Sequence, residues 1–240
     1  MEYSSGLTRP NSSMDFWDFH SHQRGGGALC SCDLLREEVP PIADCPYLSV
    51  GLHPWSLPKE VSSPPVEVAL DQLNKLAREG RIVAVGEAGW DAHSPAAMDY
   101  QQQLVEAQWQ IAEENRLPMI LHVVKRWQEL EYFIRRSRPT IPLIVHGFRG
   151  KAPLAQRLLH LGVWLSLGRY YNRESLCEAW KAGRLLLETD DSSLPIASIY
   201  QAVAEDLGID LSLLCDRLTG VAHQLFRVKI FPKYVSSGQI

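Results

Sequence analysis

The chain has no run of about 18 consecutive apolar residues, so no transmembrane helix is expected. Cysteine is scarce and odd in number: Cys30, Cys32, Cys45, Cys177 and Cys215. That excludes a complete disulfide framework and fits a reducing, cytoplasmic setting. Cys30 and Cys32 have half of a metal-site spacing, but buried strand thiols are the simpler expectation. Basic excess is also missing. With 24 Lys and Arg against 28 Asp and Glu, the net charge is -4, which argues against a protein that coats nucleic acid. A local basic rim remains compatible with that total. Residues 1–13 are polar and lack the apolar segment of a secretory signal. They are expected to form a poorly ordered leader before a single domain over 14–240, and Met14 is an alternative start. No internal repeat and no interdomain linker interrupts the chain.

What is present begins with Asp18-Phe19-His20-Ser21-His22. On an extended strand, residues i and i+2 point to the same side. His20 and His22 can then converge on one point, and imidazole is a common ligand for Zn, Fe and Ni. A surface pair of histidines is the bland alternative, so the reading depends on partners from elsewhere.

Short apolar runs supply them. Strands are expected at 16–19, 28–32, 47–51, 81–86, 118–121, 142–145, 163–167 and 185–187. Helical periodicity runs from Val66 to Gly80, and from a Ser94-Pro95 cap to about Arg116. Further helices are expected at 126–136, 152–161, after Asn172, at 195–207 and at 212–227. This alternation predicts an α/β protein, a single (β/α)8 TIM barrel. Residues 23–27 and 33–47 leave room for loops only, so the first two crossover helices are reduced to loops. The side near residues 23–46 is then expected to be thinly covered, leaving apolar surface for a homodimer or a larger complex.

In such barrels the active site lies at the C-terminal ends of the strands. His20 and His22 fall after strand one, Glu87 after strand four, His122 after strand five, His146 after strand six and Asp190 after strand eight. Each alone has a structural reading, as a satisfied histidine or a helix cap. Six metal-ligand types on strand ends together point to a metal site.

The motifs His20-Ser21-His22, Gly51-Leu52-His53-Pro54, Gly86-Glu87-Ala88-Gly89-Trp90-Asp91, Pro118-Met119-Ile120-Leu121-His122, His146-Gly147-Phe148-Arg149-Gly150 and Glu188-Thr189-Asp190 occur in order along the chain. In these the sequence resembles the TatD-type metal-dependent deoxyribonucleases, a branch of the amidohydrolase-like TIM barrels, and in its length a shortened subgroup. The resemblance implies one or two divalent ions, Mg, Mn or Zn. One would take His20, His22, Glu87 and Asp190. The other would take Glu87, His122 and His146, with Glu87 bridging. It implies hydrolysis of phosphodiester bonds at single-stranded or 3′ ends of DNA by a metal-activated water, with Glu87 and Asp190 as catalytic carboxylates. His53 is implied to face the substrate phosphate, with Lys125 and Arg149 as further phosphate contacts. Arg126, Lys151 and Arg169 are additional basic candidates at the mouth.

The sequence also departs from the family. Asp190 is followed by Asp191-Ser192-Ser193 where the family has a proline two positions on, and Val221 falls where it has an asparagine. Two alternatives stay open: an amidohydrolase-like enzyme on a small amide, lactone or phosphoester, and a nuclease-fold subunit of a larger complex.

Overall fold

The computed structural model describes residues 16–25, 27–59 and 64–227. The expected leader at 1–13 lies outside them. Eight parallel strands follow in sequence order around one sheet. They are β1 (Asp18–Ser21), β2 (Ala28–Asp33), β3 (Leu48–Gly51), β4 (Ala84–Asp91), β5 (Met119–Val124), β6 (Leu143–Val145), β7 (Trp164–Leu167) and β8 (Leu185–Leu187). Seven helices accompany them: α1 (Pro64–Arg78), α2 (Met98–Asn115), α3 (Trp127–Ser137), α4 (Ala152–His160), α5 (Arg173–Ala182), α6 (Ile196–Leu207) and α7 (Leu211–Phe226). This is the expected (β/α)8 barrel.

Helices form where apolar side chains recur at helical spacing. In α3, Leu130, Phe133 and Ile134 are buried, at i, i+3 and i+4. Phe133 meets Trp90 of β4 at 5.6 Å between ring centroids and Trp109 of α2 at 5.5 Å. Asn172 caps α5 as expected, accepting a hydrogen bond from Ser175 N. Ser94 does not cap α2. That helix starts at Met98 behind Ala97 without a side-chain cap. Ser94 Oγ instead donates to Pro54 O and accepts from Ala96 N, which ties the loop after β4 to the turn after β3.

No helix separates β1 from β2 or β2 from β3 among the described residues. The expected bare apolar face is not found there, however. Leu29, Cys30 and Cys32 of β2 are buried, as is Cys45 in the covering loop, where Leu34, Leu35 and Val39 pack against the core. Ile42 is the large apolar side chain this stretch leaves exposed.

Four strands run further than the apolar runs indicate: β1 to Ser21, which places His20 inside it, β2 to Asp33, β4 and β5. β4 continues to Asp91 and pairs along its last residues with β5, Gly89 opposite His122 and Asp91 opposite Val124. Glu87 and His122 therefore lie within strands and not at their ends. Gly89 allows the close approach: a Cβ there would lie 1.9 Å from the His122 carbonyl oxygen, at a φ of +156°. Trp90 faces the helices, so Glu87 and Asp91 are free to face the barrel interior.

The barrel closes where β8 meets β1. Asp190 N donates to His20 O at 3.0 Å and His22 N donates to Asp190 O at 3.1 Å. Beneath this seam the buried Asp18 carboxylate accepts hydrogen bonds from Thr189 N (3.0 Å) and Thr189 Oγ1 (2.6 Å). Burial pushes the Asp18 carboxyl up to about 7 against the pull of those donors.

Two outcomes test these packing arguments. Gly89→Ala should lower stability by about 2 kcal/mol or more, because backbone cannot retreat as a side chain can. An unchanged melting temperature would contradict the close β4–β5 contact. For Asp18 the folded state holds a proton more tightly than the unfolded chain. Its contribution is therefore full below pH 3.8 and is lost as pH rises to about 7, by at most about 4 kcal/mol. Asp18→Asn keeps the acceptor for Thr189 N without titrating. The stability difference between the variant and the wild type should shift in the variant's favour from pH 4 to pH 7 and then level. A pH-independent difference would show that Asp18 is ionised in the fold.

Candidate metal centre

Glu87 lies at the middle of the barrel mouth and is only 5% exposed. Its two oxygens face two different sets of imidazoles. Oε1 is 3.3 Å from His20 Nε2 and 3.1 Å from His22 Nε2. Asp190 Oδ1 completes that set, 3.8 Å from His20 Nε2 and 3.5 Å from His22 Nε2. Oε2 is 2.8 Å from His146 Nε2 and 3.6 Å from His122 Nδ1, and those two nitrogens are 3.1 Å apart. His53 Nε2 also lies 3.6 Å from Oε2. The structure thus brings His20, His22, Glu87, His122, His146 and Asp190 together, with His53 beside them.

These separations match a donor set. Four nitrogen or oxygen ligands at about 2.0–2.1 Å from one ion in a tetrahedron stand roughly 3.3–3.4 Å from each other. Hydrogen bonding within the chain leaves His20 among them unsatisfied. His20 is fully buried, and neither of its ring nitrogens makes a hydrogen bond. Burying a polar group without a partner costs free energy, so such atoms indicate a missing ligand. Among the described residues, every ion-pair partner of Glu87, Asp190 and Glu188 is a histidine, and so is that of Asp91. No lysine or arginine neutralises this charge. The residues present therefore fit one or two divalent cations.

The electrostatics agree. Burial pushes the Glu87 carboxyl up, but the imidazoles of His146 and His20 outweigh it and hold it well below the usual carboxylate range. Burial pushes His146 down, while the Glu87 and Glu188 carboxylates raise it well above its ordinary value. Hydrogen bonding to Glu87 raises His22 as well. The carboxylates of the cluster thus favour the protonated forms of His22 and His146.

The ring orientations come from a surrounding shell that the strand-end pattern did not mark. His122 Nε2 donates to Asp91 Oδ2 at 2.8 Å, which leaves Nδ1 bare toward Glu87. The Trp55 indole N–H donates to the same oxygen at 2.7 Å. His146 Nδ1 faces Glu188 Oε1 at 3.7 Å, so its Nε2 is the nitrogen turned to Glu87. Ser31 Oγ donates to Glu87 Oε1. Two buried glutamines of α2 fix the backbone on either side. Gln108 bonds both Leu52 N and Leu52 O, next to His53, and Gln101 bonds both Asp91 N and Asp91 O. Asp91 and Glu188 stand inside quoted motifs. For Asp91 its spacing to Glu87 was the available signal, since i and i+4 on a strand share a face.

His53 differs from the other imidazoles. Its Nδ1 accepts a hydrogen bond from Trp55 N at 3.1 Å, so the proton of the neutral ring sits on Nε2. Burial lowers its pKa to about 4. A neutral ring with Nε2–H is a hydrogen-bond donor and has no lone pair there for a metal. The basic candidates lie further out. Lys125 is exposed just after β5, with a left-handed backbone φ of 55°. Arg126 bonds Glu129. Arg149 and Arg169 flank Tyr170 on the rim after β6 and β7.

Comparison with known proteins agrees with this geometry. The family described as TatD related DNase matches residues 37–226. The uncharacterized metal-dependent hydrolase YjjV of Escherichia coli K12 is 31% identical over 171 residues, covering 68% of this chain and 62% of that protein. A protein named 3′-5′ ssDNA/RNA exonuclease TatD, from Pantoea sp. At-9b, is 30% identical over 155 residues, covering 60% and 57%. The crystal structure of the E. coli TatD homologue YjjV superimposes with a TM-score of 0.70 at 25% identity, over 85% of this chain and 87% of that one. The matched segments span about 60% of the length of the curated relatives. With the profile matching across most of the barrel, the chain belongs to the TatD-related DNase family.

Proposed function

We propose that this protein is a metal-dependent phosphodiesterase that cleaves nucleotides from single-stranded or 3′ ends of DNA. One observation carries the reading: a single buried carboxylate, Glu87, turns one oxygen to His20 and His22 and the other to His122 and His146. That arrangement suits two divalent cations sharing a bridge, and a bridged pair suits displacement at phosphorus. One ion would be held by His20, His22, Asp190 and Glu87, the other by Glu87, His122 and His146. Mg, Mn or Zn bound there would supply Lewis acidity and lower the pKa of a bound water, zinc most strongly.

The chain's own groups do the rest. Asp190 is 25% exposed and is the carboxylate of the cluster open to the mouth, so it accepts the proton of the attacking water. His53, held neutral with its proton on Nε2, donates to a non-bridging phosphoryl oxygen. Asp91 keeps His122 in the tautomer that presents a bare nitrogen to the centre, and the Glu188 carboxylate faces the far side of the His146 ring.

Chelator should abolish hydrolysis of an end-labelled single-stranded oligonucleotide, and Mg, Mn or Zn should restore it. His22→Ala and Glu87→Ala should fold and lose activity by about a hundredfold or more. Full activity with metal shown absent would sink the reading, as would cleavage of a small amide or ester by an enzyme that never cuts oligonucleotides.

Asp91→Asn tests the outer shell separately. It keeps an acceptor for His122 but removes the charge, and metal affinity should fall roughly 10- to 100-fold by calorimetric titration. Wild-type affinity in this variant would remove Asp91 from the site.

A further inference from the structure

The rim after β7 carries a cluster that the metal centre does not use. Gly168-Arg169-Tyr170 turns over the mouth, and the Tyr170 side chain is 57% exposed. Two guanidinium groups lie over its ring, Arg169 Cζ at 4.4 Å and Arg149 Cζ at 5.1 Å from the centroid. Neighbouring arginines are engaged elsewhere, Arg126 with Glu129 and Arg173 with Asp206. Arg149 and Arg169 have no carboxylate partner among the described residues, and the tyrosyl ring is their contact. All three side chains line the same cleft as Asp190. The cluster is therefore continuous with the catalytic mouth.

The charge around it narrows what it binds. Glu87, Glu188, Asp190 and the exposed Asp191 make the mouth acidic, so a polyanion needs local cations to approach. Two unpaired arginines supply them. A bare phosphate would need no more than that. The exposed aromatic face adds a surface for a planar group, and interleaved arginine and aromatic side chains hold single strands by phosphate contact and base stacking together.

We propose that Tyr170, with Arg149 and Arg169, is a stacking platform for a nucleobase of single-stranded nucleic acid, beside the phosphate that enters the metal centre. The proposal rests on the nuclease reading above and adds the residues that grip the strand. Tyr170 supplies the ring face, and the guanidiniums hold the flanking phosphates.

The test is equilibrium binding by the full chain in chelator, where no cleavage follows. The probes are a fluorescein-labelled oligo-dT and an abasic strand of the same length. Tyr170→Ala should weaken oligo-dT binding roughly five- to hundredfold and leave the abasic strand within about twofold. Tyr170→Phe, which keeps the ring, should stay near wild type. Arg169→Gln should weaken both strands and reduce the slope of log affinity against log salt by about 0.7. The platform is overturned if Tyr170→Ala binds oligo-dT as wild type does, if it loses both strands equally, or if the wild type binds neither. Cleavage assays with Mg, Mn or Zn separate this from the underlying reading. Cleavage with no Tyr170 dependence in binding removes the platform and keeps the nuclease. Tyr170-dependent binding with no cleavage keeps the platform and removes the nuclease.

Discussion

The structure depends on one carboxylate buried among imidazoles. An ionised group in a low-dielectric interior is tolerated only when positive charge compensates it. Around Glu87 stand four histidines from three strand segments, His20 and His22 from β1, His122 from β5 and His146 after β6, and among the described residues no lysine or arginine pairs with it. The arrangement leaves two ways to balance the charge. Either protons sit on the imidazoles or metal ions sit between the imidazoles and the carboxylate. The donor atoms stand at about the separations that ligands of a tetrahedral ion have. The same attraction that raises His146 and lowers Glu87 is what a divalent cation would satisfy with more charge in less space.

Holding those donors in place requires the barrel to be tight at β4 and β5. Gly89 lets the His122 backbone come within a distance that any side chain would block. The Asp91 carboxylate then reaches His122 Nε2, and Trp55 from the turn after β3 reaches the same oxygen. Three consecutive barrel segments are joined through one acid. Gln101 and Gln108 of α2 do the equivalent for the backbone, filling hydrogen bonds that the strands leave open next to His53 and Asp91. Their burial on a helix face that is otherwise apolar makes sense only in that role.

The clustering of these histidines and carboxylates was legible in the sequence because the barrel places chemistry at one end of short apolar runs. His20, Glu87, His122, His146 and Asp190 each follow or interrupt such a run, and the family's motifs mark them. The alternation of elements was legible for the same reason. Less could be read where a residue's role arises from tertiary register. Glu87 and His122 were expected at strand ends but lie within strands, since polar inward residues break the apolar run while the backbone pairing continues. Ser94-Pro95 has the composition of a helix start, yet Ser94 is drawn to the Pro54 carbonyl and α2 begins later. The loops that replace two helices were expected to expose the outward face of β2. Burial by Leu34, Leu35, Val39 and Cys45 follows from contacts between segments that carry no periodic signal. Arg149 and Arg169 were marked as basic candidates, but their meeting over Tyr170 could not be read, since it depends on β6 and β7 being neighbours.

The closure of the barrel links fold and chemistry most directly. β8 and β1 meet through Asp190 N to His20 O and His22 N to Asp190 O. The backbone atoms that seal the last seam therefore belong to the residues whose side chains form half of the candidate metal centre. Below them Asp18 holds Thr189 by two hydrogen bonds at the cost of burying its own carboxyl. A cation bound by His20, His22 and Asp190 would tie β1 to β8 across that seam. Any ligand that binds the folded state alone stabilises it in proportion to its affinity and concentration. In the proposed function, loading the centre and closing the barrel draw on the same contacts. A change at the seam, even one that leaves every ligand in place, should then be felt in metal affinity as well as in stability. The seam is also where the family's proline after the aspartate is replaced by Asp191-Ser192-Ser193. Here Ser192 Oγ accepts from Leu194 N and Ser192 O accepts from the Gln23 side chain, so hydrogen bonds to the loop after β1 stand where a proline would have restricted the backbone.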